Sequence, residues 1–230
     1  MASATYDLKR GELTTYFDRT AADAWEALTS DAPVSKIRAT VRAGRDRMRA
    51  LLLSRLPDDM TGLALLDAGC GTGALAVEAA RRGAMVTAID VSPRMIAIAR
   101  ERFGESGNLQ FLSGDMLDPA LGSFDHVVAM DSLIHYARPD IVRALASLAP
   151  RTRRSMLFTI APRTPLLSLM HSAGKLFPRS DRAPGIEPVA PAGLARAVRR
   201  EPMLADWSIS LNERINSGFY MSQAQELVRR

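Results

Sequence analysis

The run Leu65-Leu66-Asp67-Ala68-Gly69-Cys70-Gly71-Thr72-Gly73, with Asp90 closing the next apolar run, constrains this chain more than any other feature. A buried-strand pattern leads into three alternating glycines and then into a helical stretch from Ala74. Without a Cβ, those glycines let the backbone pass close to a ligand. Asp67 puts a carboxylate where the dinucleotide-binding fingerprint places pyrophosphate at a helix N-terminus. A negative charge there repels phosphate and attracts an ammonium or sulfonium group. Asp67 therefore disfavours a dinucleotide oxidoreductase.

The following segments keep the spacing of a doubly wound sheet. Ala84 to Asp90 reads as a second strand, nearly all apolar because both of its faces are covered. Asp90 falls 17 residues after Gly73, near the roughly 20 that place a carboxylate on a ribose. Leu109 to Ser113 predicts a third strand, Phe124 to Met130 a fourth and Ser155 to Ile160 a fifth. Helices are predicted over Ala74 to Arg82, Pro93 to Phe103 and Pro139 to Leu148. Such alternation implies right-handed βαβ units and a parallel sheet, with ligands outside the carboxyl ends of the strands.

The D-x-G-x-G-x-G loop resembles motif I of class I S-adenosylmethionine (AdoMet) methyltransferases. The resemblance implies an α/β, Rossmann-like fold with a seven-stranded, mostly parallel sheet in the order 3-2-1-4-5-7-6 and helices on both faces. It implies a cofactor site built from Asp67, Gly69, Cys70, Gly71 and Gly73, with Asp90 and Val91 at the ribose. Asp115 would meet the adenine amino group and the Met116 backbone the ring, with Asp131 and Ser132 following the fourth strand.

Composition narrows the class further. A chain of 230 residues buries about 70% of its unfolded surface, enough for one core without staples. No 18-residue apolar window appears, so no transmembrane helix is expected, and the N-terminus shows no secretory pattern. The expected location is the cytoplasm, at most peripheral to a photosynthetic or inner membrane. The single cysteine, Cys70, excludes an internal disulfide and a cysteine metal cluster, and no resident metal is expected. Net charge is +5, with basic residues gathered over Lys36 to Arg55 and again over Arg151 to Arg182. Those clusters suit an anionic substrate or an acidic partner surface. With 6% aromatics and no recognition motif, nucleic acid is not expected.

Residues 1–58 read as an N-terminal helical arm that covers the cofactor, and 59–230 as the AdoMet-binding domain. Within it, a proline-punctuated insertion over 162–191 carries a short apolar helix, Leu166 to Leu176. That helix suits a wall for a flat substrate or a membrane contact. Two strands, Met203 to Leu211 and Gly218 to Ser222, complete the predicted sheet.

Away from the cofactor loops, several segments resemble the magnesium-protoporphyrin IX O-methyltransferase family. They are Tyr16-Phe17-Asp18, Val34 to Arg38, Arg42 to Arg45, Met130 to Tyr136, Phe158 to Pro165, Gly174 to Pro184 and Gly218 to Gln223. The resemblance runs nearly end to end. It implies methyl transfer from AdoMet to a propionate carboxylate of Mg-protoporphyrin IX in (bacterio)chlorophyll synthesis, with S-adenosylhomocysteine (SAH) as by-product. A contact with a magnesium chelatase subunit would fit the basic clusters. A carboxylate acceptor is ionised at pH 7 and needs no general base. His135 and Tyr136 are the candidates for orienting it. Arg38, Arg42, Arg163, Lys175, Arg179 and Arg182 are candidate partners for the second propionate, since arginine suits bidentate carboxylate binding. His171, on the insertion helix, reads as a surface histidine, with an axial approach to the substrate magnesium as the alternative, and His126 within the fourth strand reads as structural. In the family a tyrosine often follows the Trp-x-x-apolar segment; here Thr29 follows Trp25 to Leu28. A role for that tyrosine does not carry over.

Two other readings remain at this point. One is an AdoMet methyltransferase for a quinone or phenol, which would require a placed base because a phenol ionises near pH 10. The other is a porphyrin carrier with weak catalysis, which would have no use for an AdoMet pocket.

Overall fold

The computed structural model describes residues 3–19, 36–163 and 185–230. Its strands are β1 (Ala64–Ala68), β2 (Met85–Asp90), β3 (Leu109–Ser113), β4 (Phe124–Ala129), β5 (Thr152–Ile160), β6 (Trp207–Ser217) and β7 (Tyr220–Arg229). They form one seven-stranded sheet in the order β3-β2-β1-β4-β5-β7-β6. Pairing is parallel from β3 through β5, whereas β7 runs antiparallel to both β5 and β6. The helices are α1 (Ala4–Arg19), α2 (Lys36–Leu53), α3 (Ala74–Arg81), α4 (Pro93–Phe103), α5 (Arg138–Leu148) and α6 (Pro191–Arg200).

The continuous apolar runs of the central strands have a direct cause. Adjacent residues point to opposite faces of a strand, and both faces here carry a core. Leu66, Val127 and Phe158 join one core with Tyr6 and Leu13 of α1, Ile141 of α5 and Leu194 of α6. Their neighbours Leu65, Val128 and Leu157 join the other, with Met48 and Leu52 of α2, Leu75 of α3 and Ile96 of α4. His126, on β4, hydrogen-bonds Ser155 of β5 at 2.8 Å, a structural position.

Between residues 63 and 160 the predicted elements agree with the structure to within about three residues. The last hairpin does not. The stretch from Met203 is first a 3₁₀ turn, Pro202–Leu204, so β6 begins only at Trp207. β7 runs on to Arg229 rather than stopping at Ser222. Its continuation looks polar in sequence because Gln223, Gln225 and Glu226 are buried but paired. Asn212 Oδ1 accepts from both glutamine amides, and Glu226 accepts from Arg55 and Ser210. α6, which opens on Pro191 and buries Leu194 and Val198, occupies a stretch the sequence reading leaves unassigned.

The segment with Trp25, Leu28 and Thr29 lies outside the described residues, as do the predicted Leu166 to Leu176 helix, His171, Lys175, Arg179 and Arg182. Among the described residues, no helix is long and apolar enough to cross a membrane.

Candidate active site

The site forms where the glycine loop leaves β1 and folds against the end of β2. The Gly69 and Cys70 N–H groups donate to the Ile89 carbonyl at 2.8 and 3.0 Å. The Gly71 N–H donates to Asp90 Oδ2 at 2.9 Å, and the Ser92 N–H to Asp90 Oδ1 at 2.9 Å. Asp90 thus fixes the loop while each oxygen keeps a lone pair for a further donor. Gly69 has φ 85°, and a Cβ there would sit 2.3 Å from Ser132 Cβ. Gly71 has φ 53°, and a Cβ there would meet nothing within 4 Å, since this residue borders a cavity.

That cavity has a volume of about 310 Å³, within the usual range of small-molecule sites. It is lined by Asp67, Gly69, Cys70, Gly71, Asp90, Val91 and Met116, which the sequence assigns to the cofactor. Asp131, Ser132, His135 and Tyr136 line it as well. Of the predicted substrate cations, Arg42 borders it, while Arg38 and Arg163 are exposed and do not. Gly73 lies behind the loop, where a Cβ would approach Phe111 to 2.7 Å. Its absent side chain serves packing rather than the cavity wall.

Asp67 is the most telling group in this cavity. It is 1% exposed, and its Oδ2 has no hydrogen-bond partner among the described residues. Burial, helped by the neighbouring Asp90 charge, pushes its carboxyl up to about 7, against the pull of the Ala76 N–H. A buried carboxylate oxygen without a donor is costly. Facing the cavity, that oxygen suits a cationic ligand. The bare Gly71 backbone and the orphaned Asp67 oxygen therefore fit the amino-acid end of AdoMet. Burial raises the Cys70 thiol well above its ordinary value, so it remains a thiol and fills space.

His135 closes a 3₁₀ turn, Leu133–His135, beyond β4. It is buried and meets Phe17 of α1 edge-on, with ring centroids 6.1 Å apart. Tyr136 stacks on Tyr6 at 4.8 Å. Burial raises both phenols above their ordinary range, so they act as neutral O–H groups and not as bases.

Asp115 does not line the cavity; its neighbours Gly114 and Met116 do. Its Oδ1 accepts from the Tyr6 hydroxyl at 2.8 Å and the Leu117 N–H at 2.9 Å, and its Oδ2 from Arg10 at 2.6 Å. Asp131 is held by Arg45 at 2.7 Å and by the Tyr220 hydroxyl at 3.0 Å. Tyr6, Leu13 and Phe17 of α1, none of them among the sequence-assigned site residues, line the cavity too. The sequence reading also leaves out Arg45 and Arg49 as site residues, although both border the cavity beside Arg42. Their spacing on α2 was the available signal, because positions 42, 45 and 49 share a helix face.

Comparisons with known proteins bear on this geometry. Residues 65–154 match the family model for a methyltransferase domain. Residues 129–229 match the model described as the magnesium-protoporphyrin IX methyltransferase C-terminus. The chain is 51% identical over 220 residues to the magnesium-protoporphyrin O-methyltransferase of Rhodobacter capsulatus, covering 94% of this chain and 95% of that one. The chain belongs to the magnesium-protoporphyrin O-methyltransferase family. A crystal structure of magnesium protoporphyrin IX methyltransferase (ChlM) from Synechocystis PCC 6803 with bound SAH superposes with a TM-score of 0.79 at 27% identity. It covers 96% of this chain and 100% of that one. By contrast, a ubiquinone biosynthesis O-methyltransferase of Methylocella silvestris is 40% identical over only 52% of this chain and 51% of its own. The magnesium-protoporphyrin relative therefore matches nearly the whole chain, and the quinone enzyme about half of it.

Proposed function

We propose that this protein transfers a methyl group from AdoMet to a propionate carboxylate of Mg-protoporphyrin IX, forming the monomethyl ester. The observation that carries the reading is a single cavity with two chemistries. It presents the partnerless Asp67 oxygen beside a glycine cradle, and Arg42 and Arg49 from α2. A cationic cofactor and an anionic acceptor are thereby accommodated in one space. The near full-length 51% identity to a magnesium-protoporphyrin O-methyltransferase supports the same substrate.

Bound AdoMet supplies a methyl group on a positively charged sulfur, and its transfer to an ionised carboxylate moves no proton. The chain's task is then to bind, orient and exclude water. Asp67 and Asp90 hold the polar parts of the cofactor, Met116 and Val91 its apolar surfaces. His135, fixed by Phe17 and its own 3₁₀ turn, orients the acceptor carboxylate. Positioning of this kind contributes roughly 7–11 kcal/mol to lowering the barrier. Tyr6, Leu13 and Phe17 make α1 the cover over the site, which supports reading residues 1–58 as a lid. The exposed Lys36, Arg38 and Arg163 suit the anionic surfaces of a chelatase subunit or a membrane, and both contacts belong to this proposal.

The test is conversion of Mg-protoporphyrin IX by the purified protein with AdoMet, read as one added methyl group by mass. AdoMet binding without methylation of the porphyrin would reject the substrate while leaving the cofactor assignment intact.

A further inference from the structure

Asp131 stands at the carboxyl end of β4, on the cavity wall between the glycine loop and His135. Among the described residues it alone, of those with a side chain, has a positive φ, at 54°. Aspartate is one of the few side chains that tolerates this conformation. Its carboxylate is surrounded by donors from three elements. Arg45 of α2 donates to Oδ2 at 2.7 Å. The Tyr220 hydroxyl of β7 lies 3.0 and 3.2 Å from the two oxygens. The hydroxyls of Thr159 on β5 and Ser222 on β7 approach Oδ1 at 3.3 and 3.4 Å. Burial and the Asp131 charge raise the Tyr220 phenol far above its ordinary value, which keeps it a neutral donor.

The arrangement is built into the chain locally. The Tyr220 ring lies against Gly44, where a Cβ would come within 2.5 Å of a ring carbon. A glycine beside Arg45 is thus required for Tyr220 to reach Asp131. Without Arg45, the cavity wall would present an uncompensated carboxylate to an acceptor that is itself a carboxylate. The hydroxyls satisfy hydrogen bonds but bring no charge; only Arg45 among these four cancels it.

We propose that Arg45 is a specificity-determining residue. By neutralising Asp131 it makes this wall compatible with an anionic carboxylate acceptor, which would otherwise be repelled. The inference rests on the carboxylate-methylation reading above, and the charge of the Arg45–Asp131 pair, not a direct grip on substrate, is what matters.

The experiment compares the parent, Arg45→Met and the double variant Arg45→Met/Asp131→Asn, measuring KM for Mg-protoporphyrin IX and Kd for AdoMet by calorimetry. Arg45→Met should raise the porphyrin KM about tenfold or more, and added salt should lower it again by screening. AdoMet affinity should stay within about threefold of the parent. The double variant should recover a porphyrin KM within about threefold of the parent, since no unpaired charge remains. A double variant no better than Arg45→Met would overturn the inference, because Arg45 would then be gripping substrate or only supporting the fold. Equal losses of AdoMet and porphyrin affinity would overturn it too. If Arg45→Met alone does not fold, Arg45→Gln, which keeps a donor to Asp131 without the charge, takes its place: a roughly tenfold rise in porphyrin KM relieved by salt supports the inference, and an unchanged KM rejects it. A parent that leaves the porphyrin unmethylated would instead overturn the function on which the inference rests.

Discussion

The Tyr6 hydroxyl donates to Asp115 Oδ1 at 2.8 Å across a sequence separation of 109 residues. This bond, with the Arg10–Asp115 ion pair at 2.6 Å, ties the N-terminal helix to the acid that follows β3. The same helix is tied at its start through Ser3 and Thr5 to Asp140, and near its end by Asp18, which accepts from Ser92. Helix α1 is thus anchored at three places along its length to the strand ends and loops of the sheet.

Tyr6 lines the cavity and its bond to Asp115 anchors α1 there, so loosening that bond should weaken cofactor binding. Tyr6→Phe removes one hydrogen bond to a carboxylate, worth about 1.5–3 kcal/mol. AdoMet Kd by calorimetry should rise about tenfold or more, and Arg10→Ala added to it should raise it further. Unchanged affinity in both variants would show that the α1–Asp115 anchor does not bear on cofactor binding.

Asp67 predicts a pH dependence with a definite sign. Its carboxyl titrates near 7 in the folded protein against 3.8 as its ordinary value. Binding a cationic ligand needs the ionised form, so AdoMet affinity should fall about five- to tenfold from pH 7 to pH 6. Above pH 8 it should fall again as an α-amino group loses its charge. The folded state retains a proton across 3.8 to 7 that the unfolded chain releases, so stability of the free protein should decline as pH rises through that window. Asp67→Asn should lose affinity and flatten both dependences. A pH-independent Kd in the parent would contradict the role given to Asp67.

The two loop glycines should fail differently when changed to alanine. Gly69→Ala drives a Cβ to 2.3 Å from Ser132 Cβ at φ 85°, so it should lower Tm markedly. Gly71→Ala meets no neighbour and incurs chiefly the backbone strain of about 1–2 kcal/mol. Its methyl enters the ligand space, so it should fold with a modest Tm loss yet bind AdoMet far more weakly. Thermal melts and calorimetry on the pair separate the two effects.

His135→Ala should keep AdoMet affinity and lose turnover about tenfold or more, the usual scale for an orienting group. Normal turnover with normal affinity would remove His135 from the reaction.

The parallel part of the fold was legible because its physics is local. Leu65-Leu66 and Val127-Val128 read as strands buried on both faces, and Gly69 to Gly73 as the turn between strand and helix. The final hairpin was not, since Gln223, Gln225 and Glu226 are buried through partners that only the fold supplies. Asp67, Asp90 and His135, which line the cavity, stand within motifs and are legible for the same local reason. Tyr6 and Arg45 were not found as site residues. Their positions are set by Asp115 and Asp131, which lie 109 and 86 residues further along the chain with no sequence pattern linking them.

The most direct test of the central claim is incubation of the parent protein with AdoMet and Mg-protoporphyrin IX, with phenol and quinone acceptors in parallel. Chromatography with mass detection should show one methyl group added to the porphyrin, matched by SAH and absent from the other acceptors. Porphyrin that binds but returns unmethylated would contradict the assignment and favour a carrier.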